Sequence, residues 1–553
     1  MNFSEKPLSQ TVTQLCLNKG ITEIVISPGS RNAPLIIGFT ENPNFNCFSI
    51  VDERAAAFFA LGMAQQSKKP VALVCSSGSA LLNYFPAVAE AFYSDIPLVV
   101  LSADRPPHLL EIGDGQTIQQ EEVYGKHILY NANCKAEAEA QIHNETSINT
   151  ALNTAIELQG PVHINLPFHE PLYKTVNEPA VIPQNVPARL PSEEIPENIN
   201  EIKEQWSTSK KIMVLVGVLA PNSIEEKYIN ALAEDERILI LTETTSNLHH
   251  SKFVSAIDQL ITSLTESEFE ALQPDILLTF GGMVVSKRIK KFLRSYPPQK
   301  HWHIDVKKAY DTYFSLSQHI QTSPNTFFEN ILPSPQTNST YEETWLAVRD
   351  KKVERYKDFI TKVQYSDFKA YCKLFNYIPE NTQLQIANSA AIRYAQLFEL
   401  PSSVAVFCNR GTSGIDGSIS TAVGAAYASK VPTVMLTGDL SFFYDSNALW
   451  NNYIPNTFKI ILINNSGGGI FRILPGAKET TYFNQFFETQ HQRTAKQFCA
   501  MYNIDYACVT SDEVLDTALN SFFSKAKTPA LLEIITPPEV NDQVLLDYFK
   551  AIK

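Results

Sequence analysis

Two neighbouring stretches decide the fold: residues 434–441, VMLTGDLS, and residues 459–471, KIILINNSGGGIF. Each begins with a short apolar run that is typical of a buried strand, and a helix-length segment separates them. This order predicts two neighbouring parallel strands, whose carboxyl ends lie at one edge of the sheet. The sequence therefore predicts that Gly438-Asp439 and Asn464-Asn465 meet at the edge where open α/β sheets bind ligands.

The residues at this edge are of the kind that binds a hard cation. A carboxylate from Asp439, a carboxamide oxygen from Asn465 and a freed backbone carbonyl are the oxygen ligands that Mg²⁺ prefers. The glycines that follow let the backbone approach a diphosphate closely. Taken singly, Gly-Asp and Asn-Asn are ordinary turn residues after strands. At this spacing, and each at a strand end, they favour a site for a metal and a diphosphate.

The bulk composition indicates a multidomain globular protein. The 553-residue chain is 44% hydrophobic and 19% charged, and at roughly 150 residues per domain it predicts about three domains. No apolar run reaches the ~20 residues needed to span a bilayer, and the first residues lack the pattern of a signal peptide. The eight cysteines are scattered without a CxxC pair. These features predict a cytoplasmic protein with reduced cysteines and no zinc or disulfide framework.

The charge balance excludes some partners. A net charge of −13 and a pI near 5.4 argue against nucleic acid and against anionic membranes, which both favour basic surfaces. In such an acidic chain, local basic clusters become informative about anionic ligands.

Two Pro-rich polar stretches, near 174–200 and 322–343, divide the chain into segments 1–175, 200–325 and 345–553. Each segment alternates short apolar runs with helix-length patterns, which predicts α/β domains with parallel sheets. Residues 71–101 and 433–463 also share an order of strand, Gly-containing turn, helix and strand. The similarity is weak as a sequence repeat, but it suits two related α/β domains.

Glu53 lies where a strand-like run gives way to the small-residue segment 55–60, AAAFFA. In one interpretation, Asp52 and Glu53 form an acidic helix start that favours the helix dipole. In the other, Glu53 is a catalytic carboxylic acid, which would have to keep its proton near neutral pH in an apolar site. The alanine and phenylalanine run could provide that site.

Several basic residues follow strands at polar or Gly-rich turns and form a second signal: Arg31, Arg105, Lys287, Arg393 and Arg410. Ser389 and Arg393 are spaced i, i+4, so both can face one ligand. An exposed arginine is usually only solvated, but several at strand ends fit bidentate carboxylate binding. They suggest substrates that carry more than one carboxylate.

Longer motifs carry a family resemblance: SPGSRNAPL (27–35), DER (52–54), SADRPP (102–107), NRGTSGIDG (409–417) and GDLS (438–441). The Gly-Asp turn followed by Asn-Asn resembles the diphosphate-binding motif of thiamine-diphosphate enzymes. All the motifs together are similar to the menaquinone-pathway 2-succinyl-5-enolpyruvyl-6-hydroxy-3-cyclohexene-1-carboxylate synthases. They run in order along nearly the whole chain, and the GDLS and NRGTSGIDG forms separate this family from acetolactate synthases and simple 2-oxoacid decarboxylases.

The resemblance implies a three-domain α/β enzyme that uses thiamine diphosphate with Mg²⁺ or Mn²⁺. A pyrimidine-binding domain would cover 1–175, a middle domain 200–325, and a diphosphate- and metal-binding domain 345–553. The family decarboxylates 2-oxoglutarate and adds the succinyl unit to isochorismate. It also implies a homo-oligomer, a dimer or a tetramer, with each cofactor bound between two chains.

The resemblance assigns cofactor roles to individual residues. Glu53 would activate the cofactor and Ile415 would bend it, while Asp439, Asn465 and the Gly467 carbonyl would bind the metal. The other expected cofactor contacts are Gly438, Leu440, Ser441, Ile470 and Phe471.

Substrate roles are implied in the same way. The distal carboxylate of 2-oxoglutarate would be bound by Ser389, Arg393 and Arg410. Isochorismate would be faced by Ser30, Arg31, Arg105, Gln116 and Lys287.

Two alternatives stay open at this point. One is another thiamine-dependent 2-oxoacid decarboxylase or carboligase, and the other is a non-catalytic ligand-binding protein, against which the intact Glu53, Asp439 and Asn465 argue. A serine hydrolase is not indicated, because the Ser-Gly-Ser turn at 77–79 has no assignable His and Asp partners. The candidate pocket is expected to be poor in histidine, so that proton transfers would fall to the cofactor's own amino group and to water.

Overall fold

The computed structural model describes residues 2–190, 194–333, 338–473, 476, 478–524 and 528–553. The chain forms two compact units. The first unit contains Met1–Pro191, Asn409–Thr433 and Ser441–Phe458, and the second contains Ser192–Cys408, Val434–Leu440 and Lys459–Lys553. Among the described residues, no helix is both long enough and apolar enough to cross a bilayer.

The strands are short and mostly buried. In chain order they are β1 (Phe3–Ser4), β2 (Glu23–Ile26), β3 (Asn46–Ser49), β4 (Val71–Cys75), β5 (Leu98–Asp104), β6 (Tyr130–Asn133), β7 (Val162–Pro167), β8 (Thr175–Val176), β9 (Ile212–Val216), β10 (Ile238–Leu241), β11 (Ile276–Phe280), β12 (Lys300–Ile304), β13 (Leu316–Ile320), β14 (Gln383–Ile386), β15 (Ala405–Phe407), β16 (Thr433–Gly438), β17 (Phe458–Asn464), β18 (Asp505–Val509) and β19 (Ala530–Ile535).

The α-helices alternate with these strands. They are α1 (Pro7–Asn18), α2 (Ala33–Thr40), α3 (Glu53–Ser67), α4 (Ser79–Asn83), α5 (Phe85–Ser94), α6 (Gln141–Leu158), α7 (Ile199–Thr208), α8 (Glu226–Ala233), α9 (Ile257–Ile261), α10 (Glu266–Leu272), α11 (Lys287–Ser295), α12 (Pro324–Ile331), α13 (Tyr341–Lys362), α14 (Asp367–Phe375), α15 (Ala390–Ala395), α16 (Ser418–Ser429), α17 (Asp439–Tyr444), α18 (Phe483–Phe486), α19 (Lys496–Met501), α20 (Asp512–Ser524) and α21 (Asn541–Ala551). Short 3₁₀ helices lie at Pro107–Leu109, Gly125–His127, Ala138–Ala140, Thr244–Ser246, Ser446–Leu449 and Gly469–Ile473.

Among the described residues, three large sheets organise the two units, and β1 and β8 form a separate two-stranded antiparallel sheet. The first unit has a six-stranded sheet in the order β3-β2-β4-β5-β7-β6, with parallel pairing throughout. The second unit has a five-stranded parallel sheet, β10-β9-β11-β12-β13, and a six-stranded sheet, β15-β14-β16-β17-β19-β18. The predicted α/β class with parallel sheets is therefore confirmed.

The two six-stranded sheets have the same topology. When the strands of each are ranked along the chain, both follow the order second, first, third, fourth, sixth, fifth. The strand order therefore reverses between β2 and β4 in one sheet and between β14 and β16 in the other: strands before this point lie on one side of it, and later strands lie on the other side. Such switch points open a crevice at the carboxyl ends of the strands, and the shared plan expected from residues 71–101 and 433–463 is confirmed.

Part of the second Pro-rich stretch, 322–343, is helical. Ser323 accepts a hydrogen bond from the Thr326 N–H as the N-cap of α12, and Pro324 occupies the first turn. Phe327, Phe328 and Ile331 are buried on this helix. Proline at the first turn of a helix is favourable, which explains why a proline-rich segment can begin an amphipathic helix. Residues 334–337 of this stretch lie outside the described residues.

Helices α3 and α16 pack very closely in the first unit, and glycines make this possible. A Cβ at Gly62 of α3 would lie 2.0 Å from the Thr421 carbonyl oxygen of α16. A Cβ at Gly424 of α16 would lie 2.0 Å from the Phe59 carbonyl oxygen of α3. Neither helix can accept a side chain there without moving apart. This packing fixes α3, which begins at Glu53, against the helix that follows residues 409–417.

We expect Gly424→Ala to destabilise the protein by about 1–3 kcal/mol, because the added methyl group overpacks the crossing of α3 and α16. Urea unfolding followed by circular dichroism measures this loss. Gly115→Ala is the matched control, since a Cβ there meets no described atom within 4 Å. Equal stability of the Gly424→Ala variant and the control would contradict the close packing.

Candidate functional site

Asp439 lies at the carboxyl end of β16, as the first residue of α17. Its side chain is buried, and its Oδ2 accepts a hydrogen bond of 2.9 Å from the backbone N–H of Gly467. Its Oδ1 accepts one of 2.6 Å from the Leu440 N–H. The structure therefore brings together the Gly-Asp turn after β16 and the Gly-rich turn after β17.

The two asparagines after β17 have different partners. Asn464 donates 2.6 Å to the buried carboxylate of Glu533 and 2.9 Å to the Arg493 carbonyl. Asn465 donates 2.8 Å to Oδ2 of Asp367. Because the Asn465 amide N–H faces Asp367, its carboxamide oxygen faces away from Asp367. Asn464 thus attaches the turn to Glu533 and Arg493, whereas the amide nitrogen of Asn465 is bound to Asp367.

Asp367 is fully buried beside Asn465. It also accepts a hydrogen bond of 2.5 Å from the Thr536 hydroxyl. The pKa of Asp367 is raised to about 6. Burial is the largest cause, and the charge of Asp439 also raises this pKa, whereas the hydrogen bonds from Thr536 and Asn465 lower it.

Gly467 has a backbone that only glycine adopts easily. Its φ is +150°, and a Cβ there would lie 2.6 Å from the Glu488 carbonyl oxygen. The Gly468 N–H donates 2.6 Å to that same oxygen, and the Gly467 carbonyl accepts 3.0 Å from Gly469. Glycine is therefore required at 467, both for its backbone conformation and for this close approach.

His491 is a site residue that sequence reasoning missed. Its Nε2 lies 3.3 Å from Oδ2 of Asp439, and its side chain is 4% exposed. A histidine thus lies beside Asp439 in a pocket that the sequence predicts to be poor in histidine. No local pattern marks His491, because its backbone N–H reaches the Ser466 carbonyl only through the folded loop.

Ile470 and Phe471 lie half-buried in the 3₁₀ helix Gly469–Ile473. The Phe471 ring lies 5.9 Å from that of Phe487. Arg472, on the same helix, forms a short ion pair with the buried Glu488. These contacts attach the segment that follows the Gly-rich turn to residues 487 and 488.

Asp52 and Glu53 occupy different positions at the start of α3. Asp52 is the N-cap, because its side chain accepts 3.0 Å from the Ala55 N–H, and it also accepts 2.7 Å from Asn447. Glu53 is the first helical residue and is half-buried. Burial first, and then the charge of Glu53, raise the pKa of Cys75 at the end of β4. Asp52 therefore caps α3, and Glu53 lies in its first turn, where an acidic side chain favours the helix dipole.

Arg54 attaches the start of α3 to the segment 441–458. It donates 2.7 Å to the Tyr444 carbonyl and lies 4.7 Å above the Tyr444 ring. Next to it, the buried Asp445 accepts 2.7 Å and 2.8 Å from the backbone N–H and hydroxyl of Ser420. Burial raises the pKa of Asp445 to about 7, and the bonds from Ser420 and the charge of Arg54 oppose that shift.

Ile415, Ser441 and Arg410 also belong to the first unit. Ser441 donates 3.1 Å to the Ile415 carbonyl, so these two predicted cofactor contacts are adjacent. Arg410 lies in the turn 409–414, whose next two backbone N–H groups, those of Gly411 and Thr412, donate to the buried Glu90.

The predicted isochorismate residues of the first unit lie near the carboxyl ends of β2, β4 and β5. Arg31 is buried, donates 3.0 Å to the Phe168 carbonyl and pairs with Glu170 at 3.2 Å, while its neighbour Ser30 is exposed. Arg105 pairs with Asp114 at 3.2 Å. Exposed Gln116 has φ +57°, and its backbone lies 3.3 Å from the Cβ position of Gly78.

Lys287, Ser389 and Arg393 belong to the second unit. Lys287 is exposed and begins α11, with Ser286 as its N-cap. Arg393 donates 2.7 Å to the Ser389 carbonyl, one turn earlier on α15. Burial raises the pKa of Asp258, whereas a hydrogen bond from Ser286 and the charges of Arg288 and Arg393 lower it. Asp258 therefore interacts electrostatically with both the start of α11 and Arg393.

Family models match along most of the chain. Residues 7–128 match the thiamine pyrophosphate enzyme N-terminal TPP-binding domain, 190–386 the middle domain, and 388–534 the C-terminal TPP-binding domain. With the parallel sheets and the Asp439 turn, these matches define a thiamine-diphosphate enzyme.

Full-length relatives narrow the class. The chain is 53% identical to a 2-succinyl-5-enolpyruvyl-6-hydroxy-3-cyclohexene-1-carboxylate synthase of Flavobacterium johnsoniae, over 100% of both chains. It is 52% identical to the synthases of Flavobacterium psychrophilum and Christiangramia forsetii, again over 100% of each chain. The chain belongs to the 2-succinyl-5-enolpyruvyl-6-hydroxy-3-cyclohexene-1-carboxylate synthase family.

A pH prediction follows from Asp445. Its pKa is raised from 3.8 to about 7 in the folded protein, so between these values the folded state binds a proton that the unfolded state does not. The contribution of Asp445 to stability is thus present at low pH and is lost as pH rises through about 7.

We expect the stability of the wild type relative to Asp445→Asn to fall as pH rises from about 5 to about 8, by at most ~1.4 kcal/mol per pH unit. Urea midpoints of both proteins across this range measure the difference. A difference that is constant, or that grows with pH, would contradict the raised pKa.

Proposed function

We propose that this protein decarboxylates 2-oxoglutarate and adds the resulting succinyl unit to isochorismate, in menaquinone biosynthesis. The observation that carries the proposal is the identity of 52–53% to synthases named for this product, over the full length of both chains. The side-chain chemistry supports it, because Glu53, Asp439, Asn465 and the substrate-type arginines are all present in this chain.

The residues at the carboxyl edge of β16 and β17 suit a divalent ion and a diphosphate. Asp439 supplies one buried carboxylate, and the Asn465 carboxamide oxygen faces away from Asp367. A Cβ at Gly438 would meet no described atom within 4 Å, so backbone can come close to a ligand there. We assign Asp439, Asn465 and the Gly467 carbonyl to Mg²⁺ or Mn²⁺, whose preferred ligands are oxygens. Gly438, Leu440, Ser441, Ile415, Ile470 and Phe471 would be the further cofactor contacts.

Glu53 would act on the pyrimidine end of the cofactor. When bound, thiamine diphosphate supplies the electron sink for decarboxylating a 2-oxoacid. Glu53 would hold a proton at its carboxyl group and donate it in a hydrogen bond to the pyrimidine ring. Asp52 and Arg54, on either side, are attached to residues 444 and 447, so Glu53 projects from a fixed backbone.

The two substrates would be distinguished by separate sets of cations. Ser389, Arg393 and Arg410 would bind the distal carboxylate of 2-oxoglutarate, because guanidinium groups bind carboxylates in a bidentate geometry. Ser30, Arg31, Arg105, Gln116 and Lys287 would face isochorismate. Arg31 and Arg105 already pair with the carboxylates of Glu170 and Asp114, and a substrate carboxylate could replace these partners.

The direct test is product identification. Purified protein with thiamine diphosphate, Mg²⁺, 2-oxoglutarate and isochorismate should release CO₂ and form 2-succinyl-5-enolpyruvyl-6-hydroxy-3-cyclohexene-1-carboxylate, detected by mass spectrometry. Release of CO₂ without the isochorismate adduct would favour another thiamine-dependent decarboxylase or carboligase. Cofactor binding without turnover would indicate a ligand-binding protein instead.

Asp439→Ala should bind thiamine diphosphate much more weakly in the presence of Mg²⁺, because it removes the one charged side chain that would hold the divalent ion. Asp367→Asn should weaken binding by about 10–100-fold, since its amide keeps only one acceptor oxygen for the two donors, Asn465 and Thr536. Tryptophan fluorescence titration measures both affinities. Asp547→Ala, which removes a half-exposed surface carboxylate, is the control. If Asp439→Ala binds thiamine diphosphate as tightly as this control, the assignment of Asp439 is wrong.

We propose a cytoplasmic homodimer, or a tetramer built from two such dimers, with pyrimidine-binding, middle and diphosphate-binding domains near 1–175, 200–325 and 345–553. None of the eight cysteines forms a disulfide in the part of the chain that the structure describes, which suits a reducing compartment. In the proposed assembly, each cofactor contacts Glu53 of one chain and Asp439 of the other, which gives two sites across a two-fold axis.

Complementation tests this assembly. Glu53→Gln and Asp439→Ala chains should each be inactive, but a heterodimer would place both lesions in one site and leave the other intact. After random subunit exchange, the mixture should recover roughly a quarter of wild-type activity. If mass spectrometry shows heterodimers and no activity returns, the site is formed within one chain.

A further inference from the structure

Glu90 is a buried carboxylate with no role in the reaction described above. It lies on α5 and is 1% exposed. Its Oε1 accepts 2.7 Å from the Gly411 N–H and 2.8 Å from the Ser94 hydroxyl. Its Oε2 accepts 2.6 Å from the Thr412 N–H and 2.8 Å from the Thr412 hydroxyl. All four hydrogen bonds are short and have a carboxylate as their acceptor, which makes them stronger than ordinary neutral hydrogen bonds.

These hydrogen bonds fix the backbone of the whole turn around Gly411 and Thr412. Two consecutive N–H groups donate to the two oxygens of one carboxylate, so neither the position nor the tilt of the peptide planes is free to change. Gly411 is required for the approach, because a Cβ there would lie 2.7 Å from both the Glu90 carbonyl oxygen and the Ser94 hydroxyl.

Arg410 lies immediately before the bound peptides. On its other side, Asn409 donates 2.9 Å to the Thr421 hydroxyl of α16. Ser413 donates 3.4 Å back to the Arg410 carbonyl. The backbone of Arg410 is therefore held between α16 and the Glu90 carboxylate.

We propose that Glu90 is a positioning residue for Arg410, and that through it Glu90 sets the preference for a 2-oxoacid with a distal carboxylate. The inference rests on the proposed function, in which Arg410 binds that carboxylate. A guanidinium on a long side chain binds a carboxylate selectively only when its backbone is fixed, because misplacement by about 1 Å can reduce rates by ~100-fold. Sequence gives no sign of this role, since Glu90 and Gly411 are 321 positions apart.

The test measures kcat and KM for 2-oxoglutarate and for pyruvate, at saturating isochorismate and cofactor, in Glu90→Ala and Glu90→Gln. We expect KM for 2-oxoglutarate to rise roughly ten- to a hundredfold in Glu90→Ala, with a smaller change in its kcat. The preference for 2-oxoglutarate over pyruvate should fall accordingly. Glu90→Gln should recover part of the loss, because its carboxamide oxygen can accept from one of the two N–H groups but not from both. This variant also serves if Glu90→Ala does not fold.

The Arg410→Ala background separates positioning from general destabilisation. If Glu90 acts through Arg410, Glu90→Ala should add less than about a threefold further rise in KM when Arg410 is already absent. Glu243→Ala is the matched control. Glu243 is also buried and accepts 2.7 Å from each of two consecutive N–H groups, those of Val285 and Ser286, but these precede Lys287. It should alter KM for isochorismate more than KM for 2-oxoglutarate.

The outcomes distinguish the inference from the function on which it rests. An unchanged 2-oxoglutarate KM in folded Glu90→Ala and Glu90→Gln, or a rise that is equally large without Arg410, overturns the positioning role alone. An unchanged KM in Arg410→Ala overturns the assignment of Arg410, and with it this inference. Thermal stabilisation by thiamine diphosphate should remain in the Glu90 variants, and its loss would assign Glu90 to the cofactor site instead.

Discussion

Buried carboxylates that accept backbone N–H groups from distant turns are the interaction on which the functional parts of this protein depend. Glu90, Glu243 and Asp439 are each nearly inaccessible to water and each accept from turn peptides. An ionised carboxylate removed from water must find donors, and the N–H groups of a tight turn must find acceptors. Because the same bonds meet both needs, the position of each turn is set by a residue far away in the chain.

These hydrogen bonds fix the backbone from which long, flexible side chains extend. The turns that Glu90 and Glu243 bind lead directly to Arg410 and Lys287, and the turn that Asp439 binds contains Asn465. Catalytic sites gain most when charged groups are already oriented before the substrate arrives. Glycine is needed where a turn approaches its carboxylate or a neighbouring carbonyl, as at Gly411 and Gly467. Part of the glycine content of the motifs therefore serves the contact with the protein and not only the contact with a ligand.

The sequence predicted those parts of the site that follow from local pattern. The strand–helix–strand order around Asp439 and Asn465 was sufficient to predict that their turns meet, and Gly467 indeed donates to Asp439. It could not show which of Asp52 and Glu53 caps α3, because only the fold places the Asp52 side chain at the Ala55 N–H. Nor could it find Glu90, Asp367 or His491, whose partners lie far away in sequence. The Asn-Asn pair had to be treated as one motif, although each asparagine has its own buried carboxylate.

The carboxylates of this acidic chain fall into two kinds with opposite consequences. A buried one such as Glu90 has its oxygens occupied by backbone and hydroxyl donors, so it competes poorly for a guanidinium group. Removing such a group would leave its buried N–H donors without an acceptor, which costs about 1–3 kcal/mol, so the carboxylate supports the turn as well as fixing its geometry. The partners of Arg31 and Arg105 are different, because Glu170 and Asp114 are 67% and 38% exposed. Exposed ion pairs contribute only about 0–1 kcal/mol, so an anionic substrate can displace them at little cost. The interior carboxylates thus fix the turns, while the exposed ones hold their arginines only weakly.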